Sequence, residues 1–110
     1  MFGKNYFVYI TTNPAKSVLY TGMTNDLEQR IVEHYLNRGI NDTFAGKYYC
    51  YNLLYYERFI NPNHAIKREK EIKNWRRSLK ENLITSENPE WDFLNGKIMD
   101  WPPHPEITSR

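Results

Sequence analysis

The chain has 110 residues and one cysteine, Cys50, so it can form one modest domain but neither a disulfide framework nor a cysteine-rich metal site. Hydrophobic residues at 40% and aromatic residues at 15% are typical of a folded globule and exclude a disordered chain. The formal charge of +2 is too small to indicate a protein coated for nucleic-acid binding. No apolar stretch approaches the roughly 20 residues of a membrane span. With no room for a signal peptide before the first strand, we expect a cytoplasmic protein that does not bind membranes.

Two short apolar runs, residues 6–12 and 18–22, predict a β-hairpin near the N-terminus. The Asn13-Pro14-Ala15-Lys16 segment between them has the composition of a turn. If Thr12 pairs with Ser17, then Tyr9 lies directly opposite Tyr20. Directly opposed residues share one face of a sheet, so the two phenols are expected side by side. A slip of one residue would separate them onto opposite faces.

The next segment predicts a helix from Asn25, which can act as the N-cap while Glu28 completes a capping box. Gly39 provides a stop after about residue 38. A third strand is predicted over residues 48–59, with an irregular start.

A second helix follows the third strand, with Asn61 as its cap and Pro62 in its first position. It is expected to bend or end within residues 75–78, and a further helical turn is expected around residues 82–84. These elements predict an α/β (α+β) domain with a small three-stranded antiparallel sheet flanked by helices.

The first helix has an apolar stripe formed by Leu27 and Ile31, and Arg30 and His34 flank this stripe at i, i+4 spacing. Both side chains are therefore directed toward the edge of the sheet. Each residue has a structural alternative to a catalytic role. His34 is then a packed, hydrogen-bonded histidine, and Arg30 is a surface arginine whose aliphatic carbons pack on the helix while its guanidinium reaches water.

The second helix places a carboxylate on its inner side. Ala65, Ile72, Leu79 and Leu83 fall within about 40 degrees of one another at ~100 degrees per residue, and Glu69 falls inside this stripe. A carboxylate facing the core is costly unless it is paired or bound to a metal. An ion pair with a nearby Arg or Lys and a metal site are therefore the two interpretations.

Basic residues are concentrated on this second helix and its continuation. Residues 64–80 contain seven basic residues against two acidic ones. Such a run is either a solvated helix face or a surface that follows phosphates. The candidate nucleic-acid-binding residues are Lys47, Lys67, Lys70, Lys73, Arg76 and Arg77.

Taken in order, Phe7-Val8-Tyr9, Tyr20-Thr21-Gly22, Arg30 and Glu69 resemble the GIY-YIG nuclease domain. The chain is most similar to the small single-domain bacterial branch of that superfamily, and it also resembles the N-terminal incision domain of the excision-repair nuclease. The pieces that carry the resemblance are Tyr9-Ile10, Leu19 to Gly22, Leu27 to His34, Ala65 to Trp75 and Asn88-Pro89-Glu90-Trp91.

The resemblance implies a metal-dependent endonuclease that hydrolyses phosphodiester bonds in DNA, and DNA repair is its expected setting. It implies a single Mg²⁺ or Mn²⁺ ion held by Glu69, and a phosphate-binding Arg30. Tyr9 is then the expected general base, Tyr20 its orienting partner and His34 a further catalytic residue. Because a free tyrosine has a pKa near 10, this base needs a neighbour that lowers its pKa or relays the proton.

One position departs from the family pattern in a way that bears on this chemistry. Met23 stands where the incision domains are similar to one another in having Lys, which removes one candidate proton relay. Lys47 lies in a Phe-x-x-Lys-Tyr element of the small branch, residues 44–48, and is a partial replacement.

The sequence predicts a nuclease domain over residues 1–87 and a Trp/Pro-rich C-terminal extension over residues 88–110. A weakly catalytic or non-catalytic nucleic-acid-binding domain of the same fold is the alternative function, and an adaptor that docks a partner through the extension is a third. Whether the DNA is branched or damaged, and whether RNA is accepted, stays open at this point, as does the oligomeric state.

Overall fold

The structure is a computed structural model that describes residues 4–103. In this range the elements are β1 (Tyr6–Thr12), β2 (Leu19–Thr24), α1 (Leu27–Leu36), α2 (Phe44–Lys47), β3 (Asn52–Phe59), α3 (Pro62–Lys73), α4 (Arg77–Glu87) and α5 (Asn95–Ile98). A three-stranded antiparallel sheet with flanking helices confirms the predicted fold class. None of the helices described is long and apolar enough to cross a membrane.

The sheet has the strand order β2-β1-β3, so β1 is central and its side chains contact both layers of helices. On one face, Val8 and Ile10 pack with residues of β3, α3 and α4. On the other face, Tyr9 packs with Leu53 and with the buried side of α1. Alternation along a single strand therefore sends Tyr9 toward α1 and its two neighbours toward α3.

The hairpin register differs from the prediction. Tyr9 pairs with Gly22, and Tyr20 pairs with Thr11, so the two tyrosines are not directly opposed. The register is shifted by two residues from the predicted one. Because side chains alternate with a period of two, a shift of two keeps both tyrosines on the same face. The predicted pairing was wrong, whereas the shared face is confirmed.

The side chain of Asn13 is the physical reason for this shift. Its Oδ1 atom accepts hydrogen bonds from the backbone N–H groups of Ser17 and Val18, at 2.8 and 3.0 Å. The loop therefore extends through Val18, and Thr12 pairs with Leu19 rather than with Ser17. An Asx-type hydrogen bond of this kind lengthens a turn without changing its composition.

The first helix begins one residue later than predicted. Asp26, and not Asn25, is the N-cap of α1, and its side chain accepts from the N–H of Gln29 at 3.1 Å. The Oγ1 atom of Thr24 accepts from the N–H of Asp26 at 3.0 Å, which holds the capping residue in place. α1 then ends at Leu36, before the predicted stop.

The short helix α2 was not predicted, and the third strand consequently starts later than expected. Thr43 caps α2 by accepting from the N–H of Gly46 at 3.0 Å. Tyr49 then adopts a positive φ of 59°, a conformation incompatible with a continuous strand. β3 begins at Asn52 rather than at residue 48.

The cap predicted for α3 is confirmed: the side chain of Asn61 accepts from the N–H of Asn63, and Pro62 is the first helical residue. The helix ends at residue 73, within about two residues of the predicted bend. α4 is a separate helix, so the prediction that Leu79 and Leu83 continue the inner stripe of α3 was wrong. Leu79 is 39% exposed.

Residues 88–103 pack on the same core as the rest of the domain. The side chain of Asn95 is buried, with its Oδ1 accepting from the N–H of Leu53 at 2.7 Å and its Nδ2 donating to the carbonyl of Tyr51 at 2.9 Å. Leu94, Ile98 and Trp101 pack against the cluster around Tyr9. The domain boundary after residue 87 stays a prediction, and the part of the Pro-rich stretch from residue 104 onward lies outside the described residues.

We expect Asn95→Ala to lower the free energy of unfolding by about 2–3 kcal/mol, because it leaves the buried N–H of Leu53 and the carbonyl of Tyr51 without partners. Urea unfolding measures this change. Asn82→Ala, at an exposed position of α4, is the control and is expected to change stability by less than about 0.5 kcal/mol. Equal effects of the two substitutions would contradict the anchoring role of Asn95.

Candidate active site

Four elements bring the predicted catalytic residues to the β2 edge of the sheet. β1 and β2 each contribute a tyrosine, α1 contributes two residues and α3 contributes one. The ring centroids of Tyr9 and Tyr20 are 6.3 Å apart. The residues gathered here are Tyr9, Tyr20, Arg30, His34 and Glu69.

Tyr9 lies directly on the backbone of β2 because position 22 is a glycine. A Cβ atom at Gly22 would lie 2.5 Å from the Tyr9 Oη atom and 2.9 Å from Cε2 of Tyr20. Atoms cannot approach this closely, so any other residue at position 22 would displace both phenols. Tyr9 itself is 0% exposed. Sequence reasoning placed Gly22 in the motif but missed this spatial role.

His34 completes a compact aromatic cluster with the two tyrosines. Its Nε2 atom is 2.8 Å from the Tyr9 Oη atom, and its ring centroid is 5.5 Å from that of Tyr20. Leu27 and Ile31 are buried against the sheet, which directs the neighbouring turn of α1, and with it His34, onto the tyrosines. The stripe predicted for α1 therefore positions His34 as expected.

Burial favours the neutral form of both partners in the Tyr9–His34 pair. Desolvation raises the pKa of Tyr9 well above its usual value, the nearby Tyr20 and Glu69 add to this rise, and the charge of Arg30 opposes it. Desolvation, followed by the positive charge of Arg30, lowers the pKa of His34 to about 4. At neutral pH the imidazole is therefore uncharged, and its Nε2 atom can accept a hydrogen bond from the phenol.

Arg30 lies at the exposed rim of this cluster. Its Nε atom is 3.2 Å from Oε1 of Glu33, and its side chain is 41% exposed. A guanidinium has five N–H donors, so this exposed pair leaves donors for another anion. A small cavity of about 110 Å³ adjoins the side chain. Its lining consists of Tyr20, Arg30, Glu33, His34, Asn37, Thr43 and Ala45.

Glu69 faces the site from α3. Its side chain is 21% exposed, and its Oε2 atom is 3.2 Å from the Nζ atom of Lys73, one turn along the helix. Lys73 also lies 5.8 Å from the ring centroid of Tyr20. Of the two interpretations from sequence, the ion pair is observed, and the metal site stays a prediction at a carboxylate that remains partly open to solvent.

The donor set fits an ion that keeps most of its own water. Within residues 4–103, no group of three or more His, Cys, Asp or Glu side chains could enclose a metal. Mg²⁺ is commonly bound through one or two carboxylates, with water and substrate phosphate filling the other positions. Glu69 fits this mode of binding, and a soft or fully protein-enclosed metal does not fit it.

The predicted nucleic-acid-binding residues are only partly gathered around the site. Lys73 lies beside Glu69, and Lys70 occupies the adjoining flank of α3, whereas Lys67 lies roughly 160 degrees around the helix from Glu69. Arg77 is tied to the hairpin turn, since its Nη1 atom donates to the carbonyl of Ser17 at 2.6 Å.

The remaining two candidates lie on other elements. Lys47, on α2, has its Nζ atom 5.3 Å from the Tyr48 ring centroid. Arg76 is exposed at the start of α4.

Sequence reasoning missed the side chain that covers Tyr20. Phe44, at the start of α2, stacks on Tyr20 with ring centroids 6.2 Å apart and an angle of 24° between the ring planes. A threonine cap at position 43 followed by aromatic residues at positions 44 and 48 is the signal that predicts this short helix.

The low pKa of His34 predicts a specific loss of stability in mild acid. The folded state holds His34 neutral down to about pH 4, whereas the unfolded chain protonates it near pH 6.5. Since the unfolded state then binds more protons, the free energy of unfolding falls as the pH decreases from about 6.5 to 4, by at most about 3 kcal/mol. We expect His34→Gln to flatten this dependence, measured by urea unfolding across that range.

His64→Gln, at an exposed position of α3, is the matched control and should keep the pH dependence of the wild type. If His34→Gln and the wild type lose stability in parallel, the buried neutral imidazole is not its source.

Gly22→Ala is expected to displace the Tyr9 phenol, because the added methyl group would occupy the position of the Oη atom. Stability should decrease by about 1–3 kcal/mol, as for overpacked core positions. Gly96→Ala is the control, since a Cβ at that residue meets nothing within 4 Å. Thermal unfolding compares the two variants, and near-UV circular dichroism reports on the tyrosine environment. An unchanged tyrosine signal in Gly22→Ala would contradict the close approach.

Comparison with known proteins identifies the family of this chain. Residues 5–82 match the GIY-YIG catalytic domain family. A UPF0213 protein of Natronomonas pharaonis is 36% identical over 83 residues, which cover 76% of this chain and 94% of the relative. A UPF0213 protein of Clostridium perfringens is 39% identical over 82 residues, covering 74% of this chain and 85% of the relative.

A solved structure supports the same assignment. The solution NMR structure of a UPF0213 protein from Bacillus halodurans matches with a TM-score of 0.52 and 26% identity, covering 87% of this chain and 97% of that one. GIY-YIG proteins are generally nucleases. On these matches and on the fold, the chain belongs to the GIY-YIG family and, within it, to the small UPF0213 proteins.

Proposed function

We propose that this protein is a divalent-metal-dependent endonuclease that hydrolyses phosphodiester bonds in DNA. The observation that carries the proposal is the hydrogen-bonded Tyr9–His34 pair, 2.8 Å apart, at the sheet edge that also receives Arg30 and Glu69. A proton relay, a phosphate-binding cation and a metal-binding carboxylate are the groups that phosphoryl hydrolysis requires. Membership of the GIY-YIG family supports the same class of reaction.

Arg30 would bind the scissile phosphate. Its guanidinium can direct two parallel N–H donors onto two non-bridging oxygens, which holds the phosphorus in a fixed orientation. The charge on those oxygens increases as the water attacks, so the same donors stabilise the transition state more than the ground state. The present partner, Glu33, lies one turn further along α1 and is itself partly exposed, so phosphate can replace it at low cost.

Tyr9 and His34 would move the proton of the attacking water. The raised pKa of Tyr9 means that its phenolate is not available at neutral pH. The phenol oxygen can still take a proton from water if its own hydrogen passes to Nε2 of His34 in the same step. The water oxygen forms its bond to phosphorus as the bond to the leaving oxygen breaks. The role of Tyr9 as the general base thus stays a prediction, in which His34 accepts the proton that leaves the Tyr9 phenol.

Glu69 would hold the ion on the side of the site provided by α3. A bound Mg²⁺ or Mn²⁺ supplies positive charge that stabilises the leaving oxygen. Lys73 is paired with the carboxylate here, and a divalent ion would have to displace its ammonium group or share the carboxylate with it. The ion pair involves a side chain that is 48% exposed, so the exchange costs little.

The Lys73–Glu69 contact also favours a second candidate function, a nucleic-acid-binding domain that cleaves poorly. If the ammonium group keeps the carboxylate, the site retains Arg30 and Lys73 for phosphate but binds no ion. The two functions differ in their response to metal, since cleavage requires the ion and binding of phosphate by Arg30 and Lys73 does not.

The decisive experiment measures DNA cleavage by Glu69→Gln. The substitution preserves shape and removes the charge that a divalent ion needs, so we expect cleavage in Mg²⁺ or Mn²⁺ to fall by at least about 100-fold. Linear and branched DNA substrates, with and without a chelator, give the rates. Glu71→Gln is the matched control on α3, because its carboxylate pairs with Arg68 and is 53% exposed.

Three outcomes are informative. Loss of cleavage in Glu69→Gln but not in Glu71→Gln supports the metal site. Metal-dependent cleavage that survives in Glu69→Gln removes Glu69 from the mechanism. DNA binding without cleavage in the wild type favours the second candidate function.

A further inference from the structure

The helix α2 presents aromatic rings to solvent immediately beside the catalytic cluster. Phe44 is 50% exposed and Tyr48 is 39% exposed, and their ring centroids are 4.7 Å apart. Phe44 also stacks on Tyr20 at 6.2 Å, while Tyr20 lies 5.5 Å from His34. The exposed rings are therefore only one side chain away from the proposed proton relay. We call Phe44 and Tyr48 the aromatic platform.

Backbone contacts support the platform, and its two side chains remain largely exposed. Thr43 caps α2, and the carbonyl of Gly46 accepts a hydrogen bond from the N–H of Gly39, just beyond the end of α1, at 2.8 Å. A Cβ at Gly46 would lie 2.5 Å from the carbonyl oxygen of Ile40 and 2.8 Å from that of Asn37. Close backbone packing of this kind fixes the position of the rings without using their exposed faces. A surface of two large exposed aromatic side chains on a fixed support is typical of a binding site rather than of a core.

The surroundings of the platform match a nucleotide. The cavity of about 110 Å³ between α1 and α2 contains the side chains of Arg30 and His34 in its lining and lies beside Tyr20. Lys47 adds a second cation, with its Nζ atom 5.3 Å from the centroid of the Tyr48 ring. Proteins bind single-stranded nucleic acid by combining cations that bind phosphate with exposed aromatic rings that stack on bases.

We propose that the aromatic platform stacks on the base of an unpaired nucleotide next to the scissile phosphate. This inference rests on the proposed nuclease function and specifies its substrate: DNA that is single-stranded or unstacked at the cleavage site. A base inside a duplex is covered on both faces by its neighbours, so it cannot stack on Phe44 until it leaves the helix. The platform thereby selects DNA structure rather than sequence, because every base has an aromatic face.

The first experiment measures equilibrium binding in the presence of a chelator, so that no cleavage occurs. The probes are a labelled single-stranded thymidine oligonucleotide of about a dozen nucleotides and a duplex of the same length. We expect the wild type to prefer the single strand, and Phe44→Leu to weaken that binding by about 5- to 100-fold. Phe44→Trp, which retains an aromatic face, should restore the affinity of the wild type.

Tyr56→Leu is the matched control. Tyr56 is 41% exposed, like the platform residues, but it lies on β3, the strand at the other edge of the sheet from β2. Its substitution should leave single-strand affinity unchanged. Unfolding temperatures of all variants establish that each is folded. Equal affinity of Phe44→Leu and the wild type for the single strand would overturn the proposal, as would equal losses in Phe44→Leu and Tyr56→Leu.

A second experiment tests whether the rings contact a base. An oligonucleotide of the same length in which every nucleotide is abasic removes the bases and keeps the phosphate charge. We expect this change to lower the affinity of the wild type much more than that of Phe44→Leu. An equal loss of affinity in the two proteins would show that Phe44 contacts no base. These experiments measure binding alone, whereas Glu69→Gln tests cleavage. Refutation of the nuclease proposal by Glu69→Gln can therefore be distinguished from refutation of base stacking on the platform.

Discussion

The contact between Tyr9 and the bare backbone of Gly22 is the constraint on which the rest of the site depends. A phenol at the centre of a sheet has room to reach the edge only where the neighbouring strand carries no side chain. This contact buries the hydroxyl group within hydrogen-bond distance of His34 on α1. The same burial raises the pKa of the phenol. The position of the Tyr9 phenol, its protonation state and its hydrogen-bond partner thus follow from the absence of a Cβ atom at Gly22.

The site separates neutral groups from charged ones. Tyr9 and His34 form an uncharged pair in the interior, because desolvation disfavours the ionised form of each. Arg30 and Glu69 lie at the rim, where each has an ion-pair partner one turn along its own helix. Ion pairs with a largely exposed partner contribute little to stability, so they can be broken at small cost. The fold therefore holds the Tyr9–His34 pair firmly and the two charged side chains loosely.

The sequence predicted the parts of this site that depend on local patterns, and it missed those that depend on single side-chain contacts. Alternation and capping located β1, β2, α1 and α3, and the resemblance to the GIY-YIG domain supplied the five candidate residues on them. The hairpin register failed because the hydrogen bonds of Asn13 lengthened the turn. The inner stripe was extended through Leu79 because periodicity contains no sign that α3 ends before α4 begins. Phe44 was missed because a four-residue helix is too short to show a period.

The precision of the site also depends on a segment beyond the family match, which ends at residue 82. Trp101 packs edge-on against Tyr35 of α1 at 5.2 Å, and Tyr35 in turn meets Tyr51 at 5.1 Å. Asn95 fixes this segment to the backbone at Leu53, which packs with Tyr9. Tyr35 belongs to α1, the helix that carries Arg30 and His34, so its contacts with Trp101 and Tyr51 help to hold that helix in place. The C-terminal residues up to position 103 are therefore a support for the candidate site.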